Sequence, residues 1–507
     1  MKFDAFIGGS YQSQALTADC EMTWNWYVEQ LQSPGATAKG ALYPTPGVTA
    51  ISTPLSGNGR AHFAINGREF AVIGTNLIEV FRDGGTDILG AVALGDLPAT
   101  INSNGDLAEQ LFVTSGGNAY VYDLSLRTLT TIAALNGRAT MGAYLDGYFI
   151  ALDAKTSTIY LSALADGTSW TTGTDYTQRS LAPDKWKAIK VVGRYVWLFG
   201  ETTTEIWQDT GAQSFPLAPF PGTLFEYGIA APFSACVVGQ EIVWLGRNKA
   251  GKLCVLRGTS PPTVISHYPL ESALVGYVDI DQAVGDSYSD KGHTFYLLSI
   301  EKANVTWAWD ETTGLWAERG TWKSELNRYT SWRPRFYAYA YDQHRMLDSS
   351  SGTIYRMGSD LTTDVDGLNI RRVRRAPAIT DELADVFYSS FELDLEPGLG
   401  KSGDFAFFSM AEVPFTVTWE VVESEAGASG ESWDYTFTPT ISGGVSAFTY
   451  AWNFDDGEAD DTNEIPTQVW ARASWTNPDD ITVTLTVTDS NGDTAVYSDV
   501  VTVQFNE

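Results

Sequence analysis

Between Arg60 and Arg375 the chain repeats one unit: strand, tight turn, apolar strand, turn, aromatic strand and usually a fourth short strand. A repeat at fixed period constrains a fold more than any single motif, because each copy must bury its apolar face against the next. The clearest copy begins at Phe233 with SACVV, the turn Gly239-Gln240, EIVWL, the turn Asn248 to Gly251, KLCVL and TVISHY. A second runs KAIKVV, Gly193-Arg194, YVWLF, EIWQD, and a third MGAYL, Asp146-Gly147, YFIAL, TIYLS. An earlier one runs AHFAI, Asn66-Gly67, REFAVI, LIEVF and ends at Asp83-Gly84-Gly85. Asn-Gly and Asp-Gly between apolar runs are strong hairpin signals, because both central residues of a type I′ turn need φ > 0.

The third strand carries an apolar residue followed by an aromatic: Val80-Phe81, Val121-Tyr122, Ile159-Tyr160, Ile206-Trp207 and Ile354-Tyr355. Cys254-Val255 and the pair Trp307 and Trp309 hold the equivalent places in two further units. Seven units between residues 60 and 375 give about 45 residues each, the size of a four-stranded propeller blade. Runs such as IVWL and VWLF are apolar throughout, as expected of strands buried on both faces. A sandwich rarely sustains seven equivalent hairpins, and β-helix rungs are much shorter. The expected fold is all-β: a β-propeller of about seven four-stranded blades, followed by a small C-terminal immunoglobulin-like β-sandwich.

The flanks differ from the repeat. Residues 1–59 hold Trp24, Trp26, Pro34, Pro44 and Pro46 but few clear strands, and read as an extended N-terminal arm. Residues 376–429 contain VFYSSFELDL and FTVTWEVVE, read as propeller-closing strands, and then the linker-like GASGES. Residues 430–507 alternate with period two in YTFTP, FTYAWNF, ITVTLTVTD and AVYSDVVTVQ, the pattern of a small sandwich.

The formal charge is −30, and the last 78 residues, 430–507, carry −13 of it, with fourteen Asp and Glu against Arg472 alone. So acidic a chain argues against duplex DNA binding, which depends on Lys and Arg neutralising phosphates. Cys20, Cys236 and Cys254 cannot all pair within one chain and show no CxxC spacing, so they read as buried free thiols of a reducing cytosol. The N-terminus MKFDAFIGGSYQSQ lacks a signal-peptide core, and no apolar run approaches the ~20 residues of a membrane span.

The opening residues FIGGSYQSQ, Cys20 within CEMTWNWYVEQ, and LYPTPGV from Leu42 to Val48 resemble the packaged-DNA-stabilisation proteins, or tail nozzles, of short-tailed bacteriophages. RAPAITDELADVFYSSFELDLEPGLG, from Arg375 to Gly400, resembles the segment that closes the propeller in that family. The resemblance covers roughly residues 1–400 and implies a homo-hexameric tube in the virion tail, assembled in the host cytoplasm. Such a tube lies below the portal and its adaptor ring, passes and retains packaged DNA, and offers sites for tail spikes or fibres and a plug or needle. Beyond it, WNFDDG (Trp452 to Gly457) and VTLTVTDSNGDT (Val483 to Thr494) resemble a PKD-type immunoglobulin-like domain, with Asp455 where that family has Gly.

An enzyme should show a constellation, and the sequence offers no catalytic or metal-binding candidate and implies no cofactor. His62, His267, His293 and His344 are scattered, without HxxxH or HExxH spacing. Gly246 to Lys252 matches most of a phosphate loop, but Leu253 replaces the required Ser or Thr and the segment reads as a hairpin turn. Asp455, Asp456, Glu458, Asp460 and Asp461 could attract calcium, though their spacing fits no EF-hand and a solvated acidic turn accounts for them. The one dense basic cluster is Arg371, Arg372, Arg374 and Arg375, a candidate interface or phosphate contact. If extended, it places Arg372 and Arg374 on one face and Arg371, Val373 and Arg375 on the other; ion pairing within the chain or between subunits is the plainer account. Two other readings stay open at this point: a carbohydrate-binding surface protein for host attachment, and a propeller glycosidase using a carboxylate pair.

Overall fold

The computed structural model describes residues 4–15, 19–33, 40–52, 55–178, 181–213, 215–377, 416–426, 432–442, 447–455, 460–471, 479–490 and 492–503. The chain divides into two compact units, Met1–Glu396 and Pro397–Glu507.

Among the described residues the first unit holds seven blade sheets in sequence order, each with antiparallel blade strands, and a separate two-stranded sheet. The blade sheets span residues 59–91, 100–131, 141–178, 186–225, 227–264 and 284–323, and finally 334–358 together with 47–50. The first strands of successive sheets neighbour one another in a closed circuit, with the seventh sheet returning to the first. Between blades 4 and 5 the step runs through Glu241–Asn248 and the 3₁₀ turn Pro232–Ser234. Seven radial sheets in a closed circuit are a seven-bladed β-propeller.

Local chemistry explains the blades. Asn66 and Gly67 have φ of 50° and 72°, and Asp146 and Gly147 have 47° and 92°, so both dipeptides adopt the left-handed pair that a type I′ hairpin requires. Each apolar–aromatic pair falls on or at the end of the third strand of its blade, from Asn76–Val80 to Ile354–Gly358. The second strands are buried on both faces: Val196, Leu198, Phe199, Ile242, Trp244 and Leu245 lose essentially all solvent contact. They join clusters that cross from blade to blade, such as the one uniting Leu152, Trp186, Trp207 and Trp244. Full burial of side chains this large contributes roughly 1.5 to 3 kcal/mol each.

The ring closes differently from the sequence expectation. The fourth strand of blade 7 is Gly47–Ala50, paired antiparallel with Ile354–Gly358 through Tyr355↔Ala50 and Met357↔Val48. Residues read as an arm therefore complete a blade, because Val48 is 1% exposed there and its carbonyl accepts from Thr363 Oγ1 at 2.9 Å. The run VFYSSFELDL, expected to close the propeller, lies outside the described residues. Further out, Cys20–Trp24 pairs with Tyr11–Gln12 and Val373–Arg375 and extends blade 6, while Trp26–Gln30 and Gly40–Pro44 form a hairpin.

A buried ion pair staples blade 7 to blade 1. Arg345 Nη1 lies 2.6 Å from Glu69 Oε2, and both side chains are fully buried. The other oxygen of Glu69 is 2.7 Å from His62 Nε2, and His62 Nδ1 is 2.7 Å from the Phe336 carbonyl.

The second unit holds two three-stranded antiparallel sheets among its described residues. One is Thr416–Ala426, Ser432–Ser442 and Thr467–Ala471; the other is Thr449–Asn453, Asp479–Thr488 and Thr494–Val503. Trp419, Phe437, Trp452, Phe454, Val483 and Leu485 form one core between them, which makes a β-sandwich. The run FTVTWEVVE, expected with the propeller-closing segment, supplies a sandwich strand instead: from Thr416 onward it pairs with Ser432–Ser442, and it buries Val417 and Trp419.

Candidate interface: the arginine run and the N-terminal arm

Residues 8–10, Gly-Gly-Ser, lie against the outer strand of blade 6. A Cβ on Gly9 would meet the Trp316 carbonyl at 2.5 Å, and one on Gly8 would meet Arg374 Nη2 at 2.9 Å, so the two glycines permit the approach. Ser10 N–H then donates to the Trp316 carbonyl at 2.7 Å, and Ser10 Oγ accepts from Thr23 N–H at 2.8 Å. The Ser10 hydroxyl also lies 3.1 Å from Glu318 Oε2. Burial pushes the Glu318 carboxyl up to about 7, against the pull of the Ser10 hydrogen bond.

Asn25 joins three segments. With φ of 58° it turns the chain between two strands, and its side chain donates to the carbonyls of Gly320 at 2.9 Å and Arg371 at 2.8 Å. Arg319, buried in blade 6, donates to the Pro46 carbonyl at 2.8 Å and stacks its guanidinium 3.4 Å from the Trp332 ring centre. Farther along the arm, Gln14 Nε2 donates to Ser272 Oγ at 2.8 Å, reaching the α-helix Tyr268–Gly276 that links blades 5 and 6.

The arginine run divides by face. Arg374 points inward, 3% exposed, and pairs with Glu21. It donates to the carbonyls of Phe6 at 2.7 Å, Gly9 at 2.9 Å and Ala5 at 3.2 Å, and to Thr23 Oγ1 at 3.0 Å. It therefore clamps the arm. Arg372 lies near Trp26 and reaches the Thr45 carbonyl at 3.4 Å; burial, and then the Arg319 charge, hold its guanidinium below the usual range. Arg371 is exposed and lies over the Trp322 ring, 3.7 Å from its centre. Arg375 is exposed and makes no ion pair among the described residues. One of the four thus makes a buried internal ion pair, and Arg371 and Arg375 face solvent. Sequence reasoning missed Glu21, Asn25, Arg319 and Glu318; the one available signal was Asn25 between two strand-like runs, since Asn tolerates φ > 0.

The remaining candidates are structural. His293 Nδ1 lies 2.8 Å from Asp310, His267 caps the helix by accepting from Leu270 N–H, and His344 contacts the Tyr337 hydroxyl at 2.9 Å. Gly246 to Lys252 ends one strand and turns into the next, Leu253–Arg257, so it is a hairpin. Of the acidic run, Asp456 and Glu458 lie outside the described residues; Asp460 accepts from Asn453 Nδ2 at 2.8 Å. Among the described residues no group of three or more His, Cys, Asp or Glu could hold a metal ion. On the first strand of blade 6, Asp286 accepts from Tyr337 N–H at 2.9 Å, and burial pushes its carboxyl up to about 6.

Residues 22–362 match the phage-stabilisation family described as Bacteriophage P22 Gp10, beta-propeller. The chain belongs to this family. The span shared with the phage-stabilisation family takes in all seven blades, including the strand 47–50 that closes the ring. The arginine run and the sandwich lie beyond it. No curated protein matches the chain. Similar solved structures include the computationally designed Ika8 protein (TM-score 0.36, 11% identity, 69% of this chain and 98% of that one). Another is the extracellular domain of the one component system BT4673 from B. thetaiotaomicron (TM-score 0.39, 9% identity, 94% and 62%). A third is AFV00434, an ancestral GH74 enzyme (TM-score 0.38, 10% identity, 68% and 54%). At these scores none of the three bears on function.

Proposed function

We propose that the chain is a structural, non-catalytic subunit of a short-tailed phage's tail nozzle, assembling as a ring of six below the portal and adaptor ring. The observation that carries this is the family match across residues 22–362, the span that builds the whole closed propeller. The ring extends the DNA channel, holds the packaged genome, and presents sites for spikes or fibres and a plug or needle. The chain's net charge is −30, and the lumen is expected to be acidic, since such a wall offers no phosphate trap and lets DNA slide; a lumen dense in Lys and Arg would contradict this. The second unit is read as a PKD-type module: Trp452 is fully buried and stacks with Phe454 at 6.3 Å, the two aromatics of its W-x-F motif.

Particles assembled without this chain test the reading. They are expected to package DNA and then lose it, so that the genome becomes accessible to added nuclease. Particles that keep a fully protected genome without the chain would contradict it.

A further inference from the structure

The exposed half of the arginine run is part of a larger surface. Trp24 and Val373 are register partners, and Arg375 lies two residues on, so the three share one face of the added strands on blade 6. Trp24 stacks on Tyr329 with ring centres 4.1 Å apart, Tyr329 meets Trp322 edge-on at 5.0 Å, and Arg371 covers the Trp322 face. The three aromatics are half-buried, while Arg371 and Arg375 are exposed. Neither guanidinium makes a hydrogen bond or ion pair among the described residues, although the chain carries 62 carboxylates against 32 Lys and Arg.

We infer that Arg371, Arg375 and the Trp24–Tyr329–Trp322 stack form the docking surface for an acidic surface of a second copy of this chain. The inference rests on the ring reading above and names one of its contacts. Charge complementarity selects the occupant: stacking fixes the Arg371 plane and leaves its N–H edge free for a carboxylate, and Arg offers a bidentate fork for it. Rigid Trp, Tyr and Arg are also the residues on which interface energy concentrates. Single-stranded nucleic acid fits less well, because it needs free aromatic faces for base stacking. Here the Trp24 face is occupied by Tyr329 and the Trp322 face by Arg371.

The test compares the full chain with the Arg371→Glu, Arg375→Glu double variant by native mass spectrometry at matched concentration and salt. Arg375→Glu alone serves as the second variant, since that side chain makes no ion pair or hydrogen bond among the described residues. The unfolding temperature of each reports on folding. The expected result is at least about a tenfold fall in the assembled fraction for the double variant, a smaller fall for Arg375→Glu, and an intermediate fall for Arg371→Lys, Arg375→Lys, which keeps the charge without the planar fork. Assemblies that persist in both reversal variants overturn this inference and leave the ring reading intact. A wild-type chain that stays monomeric overturns the ring reading and the inference with it. Intact assemblies with lost binding to duplex DNA in the double variant would assign the patch to phosphate instead.

Discussion

Glu69 and Arg345 are 276 residues apart in sequence and meet where the last blade touches the first. Removing one partner of a buried pair strands the other charge, which commonly costs about 3 to 5 kcal/mol. Arg345→Ala is therefore expected to lower unfolding free energy by about that amount in urea denaturation, and a loss under about 1 kcal/mol would show that the seam does not depend on it. Glu318 gives a pH signature. Its carboxyl is raised from an ordinary value near 4.5 to about 7, so its contribution is fully present below pH 4.5 and is lost as pH rises through about 7. Glu318→Gln keeps an acceptor for Ser10 without the charge. The variant should match wild type at pH 4.5 and exceed it at pH 8 by on the order of 3 kcal/mol. Equal stability of the two proteins across that range would remove the assignment.

At the scale of elements, the arm is held by one guanidinium on three of its carbonyls and by strand pairing further along. Arg374→Ala should free residues 4–15, seen as faster cleavage there in limited proteolysis, while the blades stay protected. Unchanged protection of that segment would place the clamp elsewhere. What the sequence showed of these elements follows from the range of the forces involved. Hairpins were legible because Asn66-Gly67 and Asp146-Gly147 encode their turns within two residues. The third strands were legible because an apolar–aromatic pair recurs in five of the seven blades. The strand Gly47–Ala50 was not, since four residues carry little periodicity and its partner lies some three hundred residues away. The arginine run was visible as a cluster, but its division was not: Arg374 turns inward because Glu21 and three arm carbonyls converge there, which no local pattern records. FTVTWEVVE read correctly as a strand and was placed with the wrong unit, because its apolar face does not say which core it joins.

For the whole molecule, the seven-bladed ring and the family match over residues 22–362 rest on different evidence and coincide in extent. A propeller closed by its own N-terminal strand is a stiff block, since opening it means breaking the blade 7 pairing and the Glu69–Arg345 contact together. Such a block suits the wall role proposed above. The most direct measurement is the native mass of the purified full chain, alone and beside its neighbouring tail components. The account predicts a closed assembly with six times the 55.3 kDa mass of one chain, visible as rings in negative stain. A stable monomer under both conditions would contradict it.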